Sequence, residues 1–237
     1  MTDETTSAEK PAHRGGMLQN LLFNIIIPVI ILSKFSGEDS LGPMVSIVVA
    51  LAFPIGYGLY DYSKSQKTNF FSVLGIVSVF LTGGMSLLKL DPEYIAIKEA
   101  TIPALIGLAV LISQKTKFPL VKIFLFNDQI MQVDKLHRIL AENGKEKEFQ
   151  GKLWNVASIV AGSFFLSAVL NYMLAKIVLV SPPGTSAYSE ELGKMTALSF
   201  PVIALPSMIV LMIGLWYLIK QIKLLTGLKL DDILKQH

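Results

Sequence analysis

The sequence predicts an all-α, polytopic membrane protein with six transmembrane helices. Three observations carry this reading. Hydrophobic residues make up 52% of the 237-residue chain and charged residues 16%, against about 25% charged in soluble domains; mean hydropathy is +0.54. Six apolar runs approach or exceed the roughly 20 residues that a helix needs to cross hydrocarbon. Lysine and arginine are also shared unequally between the segments that join those runs.

The chain opens on a polar stretch of mixed charge, 1–16, read as a disordered tail. The first span, 17–35, is the shortest and carries Asn20, Asn24 and Pro28. No small-residue cleavage site follows it, which argues against a signal peptide. The second span, 41–60, contains Pro54, Gly56 and Gly58, and the third is 70–88. The fourth, 95–114, is entered through Asp91, Glu93, Lys98 and Glu99 and is uncharged from Thr101 to Ser113. Pro103 is placed near its start, where a proline costs a helix least. The fifth, 154–180, pairs small residues at helical spacing, Ala157 with Ala161 and Ser158 with Gly162, which permits close helix approach. The sixth, 195–219, holds Pro201 and Pro206. The spans thus form one transmembrane domain over 17–220, and 221–237 is a short polar tail.

The connection 115–152 is the long one. Ile130, Val133, Leu136 and Leu140 recur at helical spacing, with Lys135 and Arg138 between them. This predicts an amphipathic helix against the cytoplasmic leaflet, either a plain connector lying in the interface or one whose basic face, Lys135 and Arg138, addresses lipid headgroups or a partner. Asn143-Gly144 is its stop signal. Five of the 21 basic residues, Lys34, Lys89, Lys98, Lys176 and Lys194, fall on one side of the six-span scheme. The other 16, eight of them in 115–152, fall on the opposite side. The excess of positive charge places that side, with both termini and the amphipathic connector, in the cytoplasm.

A 3+3 inverted repeat is also in view. Ser46-Ile47-Val48 matches Ser158-Ile159-Val160, and at the same offset Phe53, Tyr60 and Lys64 meet Phe165, Tyr172 and Lys176. Ile27-Pro28 corresponds to Ile102-Pro103. Three spans per unit would invert the second unit, the arrangement of many secondary transporters.

Polar residues inside or at the edge of spans are the candidate site. Lys98 and Glu99 stand at a span entrance, where charge is costly and therefore informative. Asn24 and Asn171 are their candidate company in a polar cavity. The competing reading is interfacial anchoring for the charges and ordinary interhelical hydrogen bonding for the asparagines. No catalytic, cofactor-binding or metal-ligating set is nominated. Cysteine is absent, and His13, His137 and His237 are far apart. Gly83-Gly84 lacks the Lys-Ser/Thr of a phosphate loop. The basic connector has no aromatic interleaving, so no nucleic-acid partner is expected.

The middle of the chain resembles the intracellular septation protein A family of inner-membrane-spanning bacterial proteins. The resemblance rests on Gly83-Gly84 followed by a short loop with Asp91 and Glu93, then Ile97-Lys98 and Thr101. It continues through the Leu-Ile-Ser-Gln run at 111–114, Lys117 and Pro119-Leu120. Trp154 and Asn171 near the two ends of the fifth span, and Thr196-Ala197-Leu198 before the last, fit as well. The long 115–152 connection and the sixth span depart from that family's pattern, which points to a sister group. The resemblance implies a multi-pass protein of the bacterial inner membrane that supports cell-envelope and membrane homeostasis. Its expected partners are membrane lipids, other envelope proteins or a small-molecule substrate. No enzyme activity and no cofactor come with it. The alternative is a small secondary transporter with a polar cavity between two three-helix halves.

The charge asymmetry yields a topology prediction. The chain has no native cysteine, so one introduced thiol reports one position. Lys64→Cys and Lys145→Cys stay unlabelled by an impermeant thiol reagent in intact cells, and Ser186→Cys reacts. Labelling of Lys145→Cys from outside reverses the orientation.

Overall fold

The computed structural model describes residues 14–65, 70–116, 119–125 and 132–228. Most of the expected N-terminal tail, Lys67, Lys117, Ile130 and residues 229–237 with Lys229 and Lys235 lie outside them. The first residues of the expected C-terminal tail, 221–226, belong to the last helix and bury Gln221, Ile222 and Leu225. Every regular element among the described residues is a helix. In order these are α1 (Arg14–Leu21), α2 (Ile27–Lys34), α3 (Gly42–Ser65), α4 (Phe70–Leu87), α5 (Pro92–Ser113), α6 (Leu120–Leu125), α7 (Val133–Glu142), α8 (Glu146–Val178), α9 (Ser186–Ser199) and α10 (Leu205–Thr226). Single π turns, Leu22–Ile26 and Phe200–Ala204, join α1 to α2 and α9 to α10.

The π turns have a common cause. Each is closed by a residue that precedes a proline: the Ile27 N–H donates to Leu22 O, and the Leu205 N–H to Phe200 O. Pro28 and Pro206 follow. A proline lacks its own N–H and its ring crowds the carbonyl four residues back, and a widened turn accommodates both effects. The local geometry of Pro28 therefore recurs at Pro206. It does not recur at Pro103, with which the sequence repeat aligned it.

Several expected boundaries shift: the helix of the second span runs on to Ser65, and that of the sixth runs from Ser186 to Thr226. Helix α5 begins at Pro92, so Pro92 is the proline that occupies the cheap first position and Pro103 sits in the helix interior. Glu93, in the first turn, meets the positive end of the helix dipole. Helix α8 starts at Glu146, eight residues before the expected fifth span. At 1.5 Å per residue its 33 residues extend about 50 Å, and its first two turns are polar. Hydropathy marks where a helix turns apolar, and that is a different point from where it begins.

The chain divides into two compact units, Met1–Asp91 with Val180–Ala197 and Pro92–Leu179 with Leu198–His237. In the first, α2 and α3 pack together and α3 packs on α4. Phe23 stacks on Phe53 and Tyr57, with centroids 6.4 and 5.6 Å away. Tyr188 of α9 is fully buried and its hydroxyl meets Ser86 Oγ at 3.2 Å. The hydroxyl of Ser189 donates to Pro43 O at 3.1 Å.

The second unit is organised on α8, which packs against α5, α6, α7 and α10. Helices α5 and α8 run antiparallel, because Glu93 at the start of α5 reaches Tyr172 and Lys176 near the end of α8. They approach closely at Gly107, where a Cβ would lie 3.2 Å from the Phe165 ring and 3.3 Å from Ala161 O. The amphipathic connector helix is α7. Leu136 and Leu140 are buried in the core with Phe149, Val156 and Ile222, each worth roughly 1.5–3 kcal/mol of burial. Asn143 Nδ2 donates to Leu225 O at 3.2 Å. Gly144, at φ 64, follows the last turn and accepts a conformation that other residues resist.

Four helices among the described residues are long and apolar enough to cross a membrane: Gly42–Tyr60, Pro92–Ser113, Glu146–Val178 and Ser186–Thr226. Leu18–Lys34 and Val77–Leu87 are shorter apolar helices. Along α10, Met208, Ile209, Met212, Ile213 and Trp216 form one helical stripe and all are more than half exposed. In water such a stripe is an association surface; in hydrocarbon it is an ordinary lipid-facing side. An all-helical fold with these flanks suits a bilayer.

The contact at Gly107 sets a stability prediction. Gly107→Val drives methyl groups into Phe165 and the Ala161 carbonyl and costs about 1–3 kcal/mol as overpacking. Gly162→Ala, whose added Cβ meets nothing within 4 Å, stays within about 0.5 kcal/mol of wild type. Thermal unfolding in detergent compares the two.

Candidate functional site

Lys98 and Glu99 lie in the second turn of α5, inside the second unit. Lys98 is 7% exposed, an unusual state for a lysine. Its ammonium donates to Glu99 Oε1 at 2.7 Å, and the Glu99 side chain is 23% exposed. Helical neighbours project about 100° apart, so the two Cβ directions diverge. The length of both side chains closes that angle, and the two are each other's partner.

One turn earlier on the same helix, Glu93 forms a second polar group. Its carboxylate accepts from the Tyr172 hydroxyl at 2.6 Å and from the Lys176 ammonium. Tyr172 and Lys176 are one turn apart on α8, so one face presents both donors to one carboxylate. The antiparallel α5–α8 packing brings this about. Residues 79 and 83 positions apart in sequence meet because the helices are in register at Gly107. Sequence reasoning counted Glu93, Tyr172 and Lys176 but did not join them. The available signal was an i, i+4 polar pair near the end of one long span and an acidic first turn on another.

The other nominated residues turn toward their own helices. Asn171 Nδ2 donates to Ser167 O at 2.8 Å and meets Ser167 Oγ at 3.3 Å. Asn24, in the first unit, donates to Asn20 Oδ1 at 2.9 Å. Of the four candidate cavity residues, the structure brings together Lys98 and Glu99. On α7, Arg138 is exposed and its Nε lies 3.9 Å from Glu142 Oε1, and Lys135 is half-buried.

In the first unit a further carboxylate, Glu191, accepts the backbone N–H groups of Val180 and Ser181, both at 2.9 Å, and the Ser181 hydroxyl at 2.6 Å. This fastens the turn before α9. Among the described residues no group of three or more His, Cys, Asp or Glu is arranged to hold a metal ion.

The class defined by these observations is an all-helical protein with apolar helices of membrane-crossing length and charged pairs at helix ends. No protein-family model, curated protein or solved structure matches the chain.

The Lys98–Glu99 pair generates a prediction with a sign. Removing the acid alone leaves a buried ammonium with a weaker set of partners, so Glu99→Ala costs about 1–3 kcal/mol. Lys98→Met keeps the shape, removes the buried charge and costs less. The double variant Lys98→Met, Glu99→Ala is more stable than Glu99→Ala alone. Unfolding midpoints in detergent order the three; a double variant as unstable as the sum of the singles removes the coupling.

Proposed function

We propose that the protein is a non-enzymatic, multi-pass protein of the bacterial inner membrane. It supports cell-envelope and membrane homeostasis by binding lipid or protein. Six spans with both termini in the cytoplasm are part of this reading, as is kinship with the septation protein A family or a sister group of it.

The observation that carries it is the docking of α7. Its apolar side is spent on α8 and α10 through Leu136 and Leu140, and Asn143 ties it to Leu225. Its polar side is left outward on a fixed support, with Asp134, Arg138 and Glu142 exposed and Lys135 half-buried beside them. Trp154 lies two turns into α8, where that helix turns apolar, which is the headgroup level for a spanning helix. A rigid charged face at that level suits a headgroup or a partner protein.

A transporter is the second reading, and the buried Lys98 favours it. A paired lysine within a span is the kind of group that proton- and ion-coupled carriers use. The inverted repeat would supply its two halves.

A deletion strain under envelope stress tests both. Lys135→Glu, Arg138→Glu fails to restore growth at unchanged protein level, and Lys98→Met restores it. Full rescue by the charge-reversed variant removes the α7 face from function. Failure of Lys98→Met at normal stability and level moves the function to the transporter reading.

A further inference from the structure

We infer that the second unit holds a site for the phosphodiester headgroup of an anionic phospholipid, distinct from the α7 face. The site is a cleft of about 260 Å³ where α5 ends, α6 passes and α8 turns apolar. Gln114, Thr116, Lys122, Gln150, Leu153 and Trp154 line it, among others.

Its construction follows from local chemistry. Gln150, Leu153 and Trp154 are spaced i, i+3, i+4 and share one face of α8. The turn from α5 to α6 is held by Ser113, whose Oγ donates to Val110 O at 2.7 Å and accepts the Leu120 N–H at 3.0 Å. The Thr116 hydroxyl donates to Ser113 O at 2.7 Å. The last carbonyls of α5 are also taken by the N–H groups of Gln114, Lys115 and Thr116. Fewer carbonyl oxygens of α5 are thereby left to face the cleft, and the charge that offsets the negative end of that helix is Lys122.

Two features point to an anion. Lys122 supplies a positive charge to the wall. Gln114 Nε2 is buried with no hydrogen-bond partner among the described residues. A buried donor left unpaired is costly, and a turn of the Gln114 side chain that brings Nε2 onto a phosphate oxygen in the cleft relieves that cost. Two further features point to a lipid as the source. The cleft lies where α5 loses and α8 gains its apolar character, which is the headgroup level of a spanning helix. Leu153 and the body of Trp154 give it an apolar wall that free phosphate does not need and a glycerol backbone does. Basic pockets between helices at that level hold anionic headgroups in this way. The inference rests on the lipid-binding reading above only in taking the ligand from the membrane.

The test uses the full chain in detergent with Trp216→Phe as background. The sequence has two tryptophans, so Trp154 becomes the sole reporter. Added phosphatidylglycerol shifts Trp154 emission saturably, and phosphatidylcholine and inorganic phosphate do not. Lys122→Gln and Gln114→Leu each weaken half-saturation about tenfold, the loss of one charge-assisted or otherwise unsatisfied hydrogen bond. Leucine removes a buried Nε2 that has no partner among the described residues at little cost to the fold, so Gln114→Leu retains its structure and its unfolding midpoint checks this. Wild-type binding by both variants overturns the cleft. If Lys135→Gln, Arg138→Gln loses the response while the cleft variants keep it, lipid binding stands at α7 and the cleft is rejected. An equal shift with phosphatidylcholine overturns the anionic preference, and a saturable shift with inorganic phosphate alone overturns the lipid source.

Discussion

The second unit depends on one close approach. At Gly107 the backbone of α5 comes against the Phe165 ring and the Ala161 carbonyl, and even a Cβ there would press both by a few tenths of an ångström. Without a strong hydrophobic force between helices in lipid, small residues at the crossing are what allow dispersion contacts to accumulate. That contact sets the register of the whole pair. Above it, Glu93 reaches Tyr172 and Lys176. Below it, Val110 joins Leu153 and Val156 in a core that also receives Leu136 and Leu140 of α7. A slip by one turn would break the Glu93 cluster and misalign that core at the same time.

The helical class and much of the placing of apolar helices were legible in the sequence, because both follow from composition and run length. Small residues on the fifth span announced close packing, and Ala161 is indeed at the contact, though the partner glycine on α5 was not singled out. Asn143-Gly144 marked the end of α7 correctly. Helix starts were less legible. Pro92 and Glu146 begin helices inside polar sequence, where no change in hydropathy signals them.

The candidate site was legible residue by residue and not as a set. Lys98 stood out because lysine in an apolar helix is costly, and it is buried. Its pairing with the adjacent Glu99 runs against the rule that neighbours on a helix diverge, which holds for Cβ directions and weakens over several side-chain bonds. The Glu93–Tyr172–Lys176 cluster is a tertiary fact whose local traces, an i, i+4 polar pair and an acidic first turn, do not say that they meet. Asn24 and Asn171 satisfied themselves within one turn of their own helices, a choice that residue identity alone does not reveal. The Gln114 cleft was equally silent, since Gln114 reads in sequence only as the polar end of a span.

The π turns carry one more consequence. Each is equivalent to one extra residue in a helix, and one residue is about 100° of rotation. The residues on either side of Leu22–Ile26 therefore stand in the rotational relation of a regular helix one residue shorter. A one-residue deletion within that turn would tighten it to the regular period and leave Pro28, Ile31 and Leu32, the buried residues of α2, facing as they do. The widened turn thus works as a reserve of chain length, a place where the helix can lose a residue and keep its packing face.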